Sequence, residues 1–293
     1  MYSSVKWDSP IRGRVFAVAV ILAMIAALLP FGATPASAAK PVKNPPPEEQ
    51  PVATTSFKSM ETASGYFLSG KSLIFAKPAD AVEGDFMIAQ VAYNAFGSIT
   101  PPNGWNVIDV FSHPSKPIMQ GLYWKAVTAS EPDFYGFLLN SDGGDTAAGG
   151  LALYSDIDLD NPIDVFGGQS AGAGDPIVAP SITTTSANTT LLGFFAVRNN
   201  GTIQQPADMT ERWNVTSGGT GSVGETAAGA VDLLLEVAGD TGGRTATPMA
   251  SDGSIGHLVA LNSAPVTEDT TPESYVQWED AAALQGLPPG QYS

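Results

Sequence analysis

Two segments in the middle of this chain have nearly the same order of residue types. Residues 87–105 read MIAQVAYNAFGSITPPNGW, and residues 191–209 read LLGFFAVRNNGTIQQPADM. With an offset of 104 positions, residues of the same physical type align: Met87 with Leu191, Val91 with Phe195, Gly97 with Gly201, Ile99 with Ile203, Pro102 with Pro206 and Trp105 with Met209. Repeated apolar, Gly and Pro positions form a framework and not a chemical site. The repetition therefore constrains the architecture of the chain more than its activity.

Most of the chain has the pattern of short strands. Between residues 57 and 264, apolar segments alternate with Gly, Pro, Asn and Asp at the intervals of strands joined by turns, and few windows have the 3.6-residue period of a helix. The segments with a strand pattern are 66–68, 72–75, 86–92, 106–111, 120–127, 134–139, 149–154, 177–179, 190–197, 210–215, 228–237, 244–247 and 256–262. We therefore predict an all-β domain over residues 57–264.

The repetition also predicts how the strands pack. Residues 149–153 (GGLAL) resemble residues 256–260 (GHLVA), which extends the two copies to about 84–154 and about 190–262. A sheet of about four strands standing alone would leave one face exposed. We therefore predict that the copies pack on each other as a two-sheet β-sandwich, with pseudo-twofold symmetry or jelly-roll-like connections.

The two ends of the chain differ from this domain. Residues 1–39 have the basic start, the apolar run 15–29 and the Ala36-Ser37-Ala38 site of a secretory signal peptide. A membrane anchor is the alternative, but the run is shorter than the roughly 20 residues that a bilayer needs. Residues 40–56 form a Pro-rich spacer and residues 265–293 an acidic tail that we expect to be flexible. We predict a secreted, extracellular or cell-surface protein with no membrane span in the mature chain.

Composition narrows the classes of partner and cofactor. The chain has no Cys, which excludes disulfides and thiolate metal sites, so an exported domain must be stabilised by its core. The net charge is −16, and removal of residues 1–39, which carry +2, makes it −18. Such a chain repels phosphates, so we expect no nucleic-acid partner.

Several segments resemble a known class of module. These are GDFMIA at 84–89, ITPPNGW at 99–105, LYWKAV at 122–127 with Glu131-Pro132, and NPID at 161–164. Together they resemble β-sandwich modules that recur in secreted bacterial and phage-associated proteins, over roughly residues 84–262. The Ile-Thr-Pro-Pro-x-Gly-Trp segment is the most specific of them. The resemblance implies an extracellular or virion-surface context, with adhesion or assembly favoured over catalysis, and it assigns no site.

One acidic segment is a candidate metal site. Asp156, Asp158, Asp160 and Asp164 alternate with apolar residues, and converging carboxylates in a loop can bind Ca²⁺. The spacing fits an EF-hand loop only in part, because Asn161 stands where Gly is expected. The alternative is a surface strand whose carboxylates face water. Calcium is the one cofactor that the sequence suggests. A second acidic segment, Asp142–Asp145, has the Gly and Asp residues that a turn requires, so it needs no metal to explain its composition.

Aromatic residues provide a second candidate site. Tyr123 and Trp124 are adjacent in a predicted strand, so their side chains point to opposite faces and at most one belongs to the core. An exposed aromatic ring can stack on a sugar, and the alternative is ordinary packing. We therefore predict Tyr123 and Trp124 as ligand-binding residues, with a glycan or a cell-surface protein as the partner.

Catalytic patterns are weak. Residues 168–172 (GQSAG) match the G-x-S-x-G nucleophile pattern, but no helix pattern follows, and His113 and His257 are the only histidines. Several glutamates could supply the two carboxylates of a glycosidase, but no pair is distinguished by its context. We predict a non-catalytic adhesion or ligand-binding module, with a self-assembling structural subunit as the first alternative and a polysaccharide-acting enzyme as the second.

Overall fold

The computed structural model describes residues 53–265, except residues 69, 142–144, 199–201, 219–223 and 251. The first half, 56–155, contains β1 (Ser56–Phe67), β2 (Lys71–Ala76), β3 (Phe86–Tyr93), β4 (Gly97–Thr100), β5 (Asn106–Ser112), β6 (Met119–Ala126), β7 (Phe134–Ser141) and β8 (Asp145–Ser155). The second half, 163–261, contains β9 (Ile163–Ala171), β10 (Ile177–Ala179), β11 (Thr183–Thr184), β12 (Thr189–Arg198), β13 (Ile203–Gln204), β14 (Thr210–Thr216), β15 (Thr226–Leu235), β16 (Gly239–Asp240), β17 (Arg244–Pro248) and β18 (Ser254–Leu261). The prediction of an all-β fold is confirmed. The proposed signal peptide, the spacer before residue 53 and the tail after residue 265 lie outside the described residues.

The two halves have the same strand order. The first half forms a five-stranded sheet, β1-β8-β3-β6-β5, and a three-stranded sheet, β2-β7-β4. The second half forms β9-β18-β12-β15-β14 and β10-β17-β13 in the corresponding order, with the short pair β11-β16 added. Even the irregularities correspond, because β5 has a register shift between Val107 and Asp109 and β14 has one between Glu211 and Trp213. Each half is thus a jelly-roll-like unit in which the first strand pairs with the last.

The two five-stranded sheets form the predicted two-sheet sandwich, and each also has a three-stranded sheet on its outer face. All residues of β3 are buried, because alternate side chains enter different cores. Met87 and Val91 pack toward β2-β7-β4, whereas Phe86 and Ile88 pack toward the second half. The second half has its own outer core around Leu191, Phe195 and other residues. Strands buried on both faces are nearly continuous apolar runs, and β3 and β12 show this pattern, with Gln90 as the polar exception inside β3.

Small side chains form part of the contact between the halves. Ala92, Ala148, Ala196 and Ala228 pack together between the two sheets. Beside them, Trp213 covers Gly150 so closely that an added Cβ would lie 2.4 Å from two ring atoms. Only Gly leaves room for the indole at this position.

The two ends of the sandwich are defined by the strands that meet there. At the loop end, β3 and β12 both finish, and the Arg198 Nε atom donates a hydrogen bond to Asn94 Oδ1 at 3.0 Å. At the base, β8 and β18 finish, and the first and last described segments pair through a hydrogen bond from Ala53 N to Ala264 O at 3.1 Å. Both described ends of the chain therefore leave the sandwich at the base.

Six strands differ from the sequence prediction, of which the four short strands β4, β11, β13 and β16 were not predicted, and the two long ones are β1 and β9. β1 runs from Ser56, although only its last residues had a strand pattern, and β9 was not predicted as a strand at all. Both are edge strands of their sheets, with few fully buried side chains. The alternation of apolar and polar residues is therefore weak in them, which explains the omission.

Candidate functional site

Tyr123 and Trp124 point to opposite faces of β6, as the sequence predicts, but neither is fully exposed. The Tyr123 side chain is completely buried in the outer core of the first half, and burial raises its pKa above the ordinary range. Trp124 is half-buried, and its ring stacks on Phe86 with 5.5 Å between the ring centroids. Of the two predicted ligand-binding residues, Trp124 is the one whose side chain could reach a ligand.

Three of the four predicted calcium ligands are engaged separately, and Asp160 takes part only through its backbone N–H group. Asp158 Oδ1 accepts hydrogen bonds from the backbone N–H groups of Asp160 at 3.0 Å and Asn161 at 3.3 Å, which caps a turn. Asp164 lies on β9, where its carboxylate accepts hydrogen bonds from the backbone and the hydroxyl of Thr185. Asp156 accepts a hydrogen bond from Ser155 Oγ at 2.7 Å. Over the part of the chain that the structure describes, no three His, Asp or Glu side chains form a group suited to a metal. Calcium binding by these residues stays a prediction.

The G-x-S-x-G segment is not at a strand-to-helix turn. Residues 168–171 lie in β9, an edge strand paired with β18. His257 does contact an acid, because its Nε2 atom lies 2.9 Å from Asp109 Oδ2, and this hydrogen bond lowers the pKa of Asp109. The other ring nitrogen, Nδ1, lies 2.7 Å from Gln120 Nε2. Both ring nitrogens are therefore occupied, with the acid on Nε2, where a Ser-His-Asp triad has its serine, and an amide on Nδ1, where the triad has its acid.

Glu131, one of the glutamates considered for a glycosidase pair, accepts several hydrogen bonds inside the protein. Its side chain is 2 % exposed and receives hydrogen bonds from Thr128, Tyr135 and Lys125. Burial raises the pKa of Glu131, but these hydrogen bonds outweigh it, and the net pKa lies below the ordinary value. A carboxylate held in its charged form by several donors is suited to fixing the β6–β7 connection and not to donating a proton.

A charged cluster joins the two halves at the loop end. We call Asn94, Lys116, Arg198 and Asp252 the loop-end cluster. The Asp252 carboxylate accepts hydrogen bonds from Lys116 Nζ, at 2.6 Å, and from Arg198 Nη1. Lys116 belongs to the first half and Arg198 to the second, so the shared carboxylate bridges them. The hydrogen bond from Lys116 and the nearby charge of Arg198 lower the pKa of Asp252.

Large apolar side chains are exposed at the same end of the sandwich as this cluster. Tyr66 is 55 % exposed at the end of β1, Leu68 follows it at 59 %, and Phe96 is 63 % exposed between β3 and β4. Met249, between β17 and β18, is 79 % exposed. The ends of β1 and β3 are two strand spacings apart, or about 10 Å. The loop end thus combines exposed apolar groups with an arginine, a lysine and an amide.

The base has a different chemistry. Its connections and the adjoining start of β14 contain half of the 20 carboxylates of the described residues, namely Asp80, Glu83, Asp133, Asp156, Asp158, Asp160, Asp208, Glu211, Glu236 and Asp240. At the loop end, Lys71, Lys116 and Arg198 nearly balance Asp145, Asp175, Glu225 and Asp252. Among the described residues, the negative charge is therefore concentrated at the base, and the loop end is close to neutral.

The sequence prediction missed the loop-end cluster, although a signal was present. With the offset of 104, Asn94 aligns with Arg198, directly after the last apolar residue of each repeated strand. An offset of 107 aligns Asp145 with Asp252 at the start of the equivalent strands β8 and β18. Polar residues at equivalent strand ends mark one end of a sandwich, but the distance between them depends on how the halves pack.

Comparisons with known proteins do not assign this site. No family model matches the chain, and no curated protein and no solved structure matches it. In the described part of the chain, no helix has the length and apolar character needed to cross a membrane.

Proposed function

We propose that this protein is an extracellular, non-catalytic ligand-binding or adhesion module whose loop end is the recognition surface. The observation that supports this most directly is the position of the chain ends. Ala53 and Ala264 are hydrogen-bonded at the base, and Thr55 Oγ1 lies 2.9 Å from Ser263 Oγ beside them. A spacer attached at the base holds the loop end outward, toward a partner.

The chemistry of the two ends supports the same orientation. Exposed aromatic and aliphatic groups such as Phe96 and Tyr66 provide contact area, and polar groups such as Arg198 and Asn94 provide orientation. The carboxylates of the base repel anionic surfaces, whereas the near-neutral loop end does not. Loops at one end of a rigid sandwich are a common location for recognition.

Binding should depend on the exposed residues of the loop end. We expect the double variant Tyr66→Ala/Phe96→Ala to bind at least tenfold more weakly than the unchanged protein to any ligand found on a glycan array. The reason is that two exposed side chains lose their contact area while no buried group is altered. Titration of the array hit by calorimetry measures the difference.

A matched control is available at the base. Val237 is 77 % exposed, so Val237→Ala removes a comparably exposed apolar group on the opposite end and should leave affinity unchanged. Trp124→Ala tests the ligand-binding residue that the sequence predicts on β6. If that variant stays folded and alone abolishes binding, the loop end is not the recognition surface. If Val237→Ala lowers the affinity as much as the double variant does, the loop end is likewise not the recognition surface.

A second candidate function is self-assembly into a surface layer or filament. It is supported by β1, a strand of 12 residues that pairs only with β8 and forms an edge of its sheet. Long edge strands can pair with another chain through their free backbone groups. Sedimentation velocity over a range of concentrations tests this, and Glu61→Pro should abolish any assembly that uses this edge.

A further inference from the structure

The free edge of β1 differs from the other edges of the two five-stranded sheets. β5 and β14 are each interrupted by a bulge, and β9 contains the adjacent glycines Gly167 and Gly168. β1 is the longest of the four edge strands, and its register with β8 is regular over residues 59–67. This segment, SMETASGYF, has no Pro and no Lys, and Glu61 is its one charged residue. Because bulges, prolines and lysines are the usual protection of an edge strand, the edge of β1 is open to pairing with another chain.

The exposed side chains of β1 are complementary to those of a second copy. Met60, Thr62, Ser64 and Tyr66 alternate along the strand, and all of them are exposed. If a second copy pairs antiparallel with Ala63 opposite Ala63, Met60 lies opposite Tyr66 and Thr62 lies opposite Ser64 on both sides of the centre. A thioether against an aromatic ring and two facing hydroxyl groups are favourable cross-strand pairs.

The other face of the strand fits the same register. Glu61 lies opposite Gly65, which has no side chain, so the carboxylate meets neither bulk nor a like charge. The Glu61 residues of the two copies are four positions apart along the strand, or about 14 Å. Ala63, at the centre, has a small side chain. Within residues 59–67, this register therefore places no two like charges opposite each other.

The register is compatible with either orientation of the backbone at its centre. A residue on the two-fold axis of an antiparallel pair faces its own copy in a hydrogen-bonded pair or in a non-hydrogen-bonded pair, and both occur in every antiparallel ladder. Pairing at this edge would join two five-stranded sheets into one continuous sheet. A two-fold contact uses the same surface on both copies and is closed after two chains, so it predicts a dimer and no larger assembly.

Antiparallel pairing also determines how the two copies are oriented. β1 begins at the base, where Ser56 pairs with Ser155, and it ends at the loop end, where Phe67 pairs with Asp145. The base of one copy therefore lies beside the loop end of the other. Ala53, which precedes β1 at the base, is consequently at opposite ends of the dimer in the two copies. This arrangement suits two chains whose spacers are attached to facing surfaces.

We propose that residues 59–67 form a homophilic adhesion edge, through which two copies of this chain on facing surfaces pair antiparallel about Ala63. The proposal rests on the extracellular adhesion role proposed above, but its contact runs along the side of the sandwich and not across the loop end. It differs from assembly into a layer or filament, because its partner is a single second copy and the contact closes.

The first test measures association of the protein purified from a host that expresses the full chain. Sedimentation velocity should show a monomer–dimer equilibrium. Thr62→Lys/Ser64→Lys places like charges opposite each other, so the association constant should fall roughly tenfold or more. Thr62→Lys/Ser64→Glu is the matched control, because the register then places opposite charges together at both contacts. Its association constant should stay within about threefold of the unchanged protein.

The second test reports the register. The chain contains no Cys, so a single introduced thiol can form a disulfide only between two copies. Ala63→Cys should give a disulfide-linked dimer on mild oxidation, because the two central Cα atoms would be about 4.5–5.5 Å apart. Met60→Cys is a more exposed control that should not cross-link, since the two copies of residue 60 are six positions apart, or about 20 Å.

Each measurement has an outcome that contradicts the proposal. A monomer at every concentration up to about 1 mM, growth beyond a dimer, or equal association of the two charge variants would overturn it. Cross-linking of Met60→Cys without cross-linking of Ala63→Cys would overturn it as well. Circular dichroism confirms that the variants are folded. Ligand binding by the loop end is tested separately with Phe96→Ala, which lies outside β1, so either proposal can fail without the other.

Discussion

Trp213→Ala is expected to lower the free energy of unfolding by about 4 kcal/mol or more. Trp213 is 3 % exposed and lies between the two five-stranded sheets, in contact with Phe194 and above Gly150. Its truncation leaves a large cavity, because the sheets are held apart by their other side chains and cannot close over it. It also leaves Gln90 Oε1 without its indole donor inside the protein. Urea denaturation followed by circular dichroism measures the loss.

Trp124→Ala is the matched control for this prediction. It removes the same side chain from a half-buried position where one face already contacts Phe86, so we expect a loss of about 2 kcal/mol. Trp213→Phe separates the two causes, because it keeps most of the volume and removes only the hydrogen bond. A smaller loss for Trp213→Ala than for Trp124→Ala would show that the contact between the halves does not depend on this residue.

Asp232→Ala is expected to lower the free energy of unfolding by about 3–5 kcal/mol. The Asp232 carboxylate accepts hydrogen bonds from Arg212 Nε at 2.7 Å and from Tyr154 OH at 2.8 Å. Arg212 also stacks over Phe57 at 3.9 Å. Removal of the carboxylate leaves a guanidinium and a buried hydroxyl without an acceptor, which costs more than the lost attraction alone. Thermal unfolding at pH 7 provides the measurement.

Tyr154→Phe distinguishes the charge from the hydroxyl. Burial raises the pKa of Tyr154, so its hydroxyl stays protonated and contributes one neutral donor. The phenylalanine variant keeps the ring and the ion pair, and it should lose only about 1 kcal/mol. Equal losses for Asp232→Ala and Tyr154→Phe would contradict the view that the unpaired arginine is the main cost.

The two halves show how equivalent positions acquired different roles. The strand registers place Trp124 opposite Ile88 and Asp232 opposite Leu192, at corresponding points of the two halves. One half thus has an indole where the other has a carboxylate. Likewise, Trp213 and Gly150 meet on one side of the sandwich, and the corresponding Asp109 and His257 meet on the other. At these equivalent positions, the first pair combines a large indole with a glycine, whereas the second combines two side chains of medium size.

Most of the strands could be predicted from local pattern. Residues 177–179 and the strands around Met87 and Leu191 were recognised because short apolar runs bounded by turn residues are a local signal. The alignment of residues 149–153 with 256–260 also agrees with the equivalent strands β8 and β18. Edge strand β9 was missed because its side chains are only partly buried and alternate weakly.

The candidate site was less accessible to sequence reasoning. The adjacent positions of Tyr123 and Trp124 predicted opposite faces, but period-two alternation does not say that a third layer covers the Tyr123 face. The carboxylates from Asp156 to Asp164 were predicted from spacing, and their separation into a turn cap and a strand position depends on where β9 begins. Spacing along a chain shows which residues are near in sequence, but it does not show which carboxylate oxygens converge on one point in space.

By itself, the sequence determined an all-β chain with two similar halves, because strand periodicity, turn residues and an offset of 104 are local or directly comparable features. The tertiary structure alone decided that Asn94 meets Arg198 and that Trp213 orients Gln90, Gln120 and His257. Apart from the contact of Gln90 with Gln120, which lies within one sheet, these contacts join residues more than a hundred positions apart in different halves of the chain. Since both faces of strands such as β3 and β12 are buried and mostly apolar, their pattern carries no information about which face meets the other half.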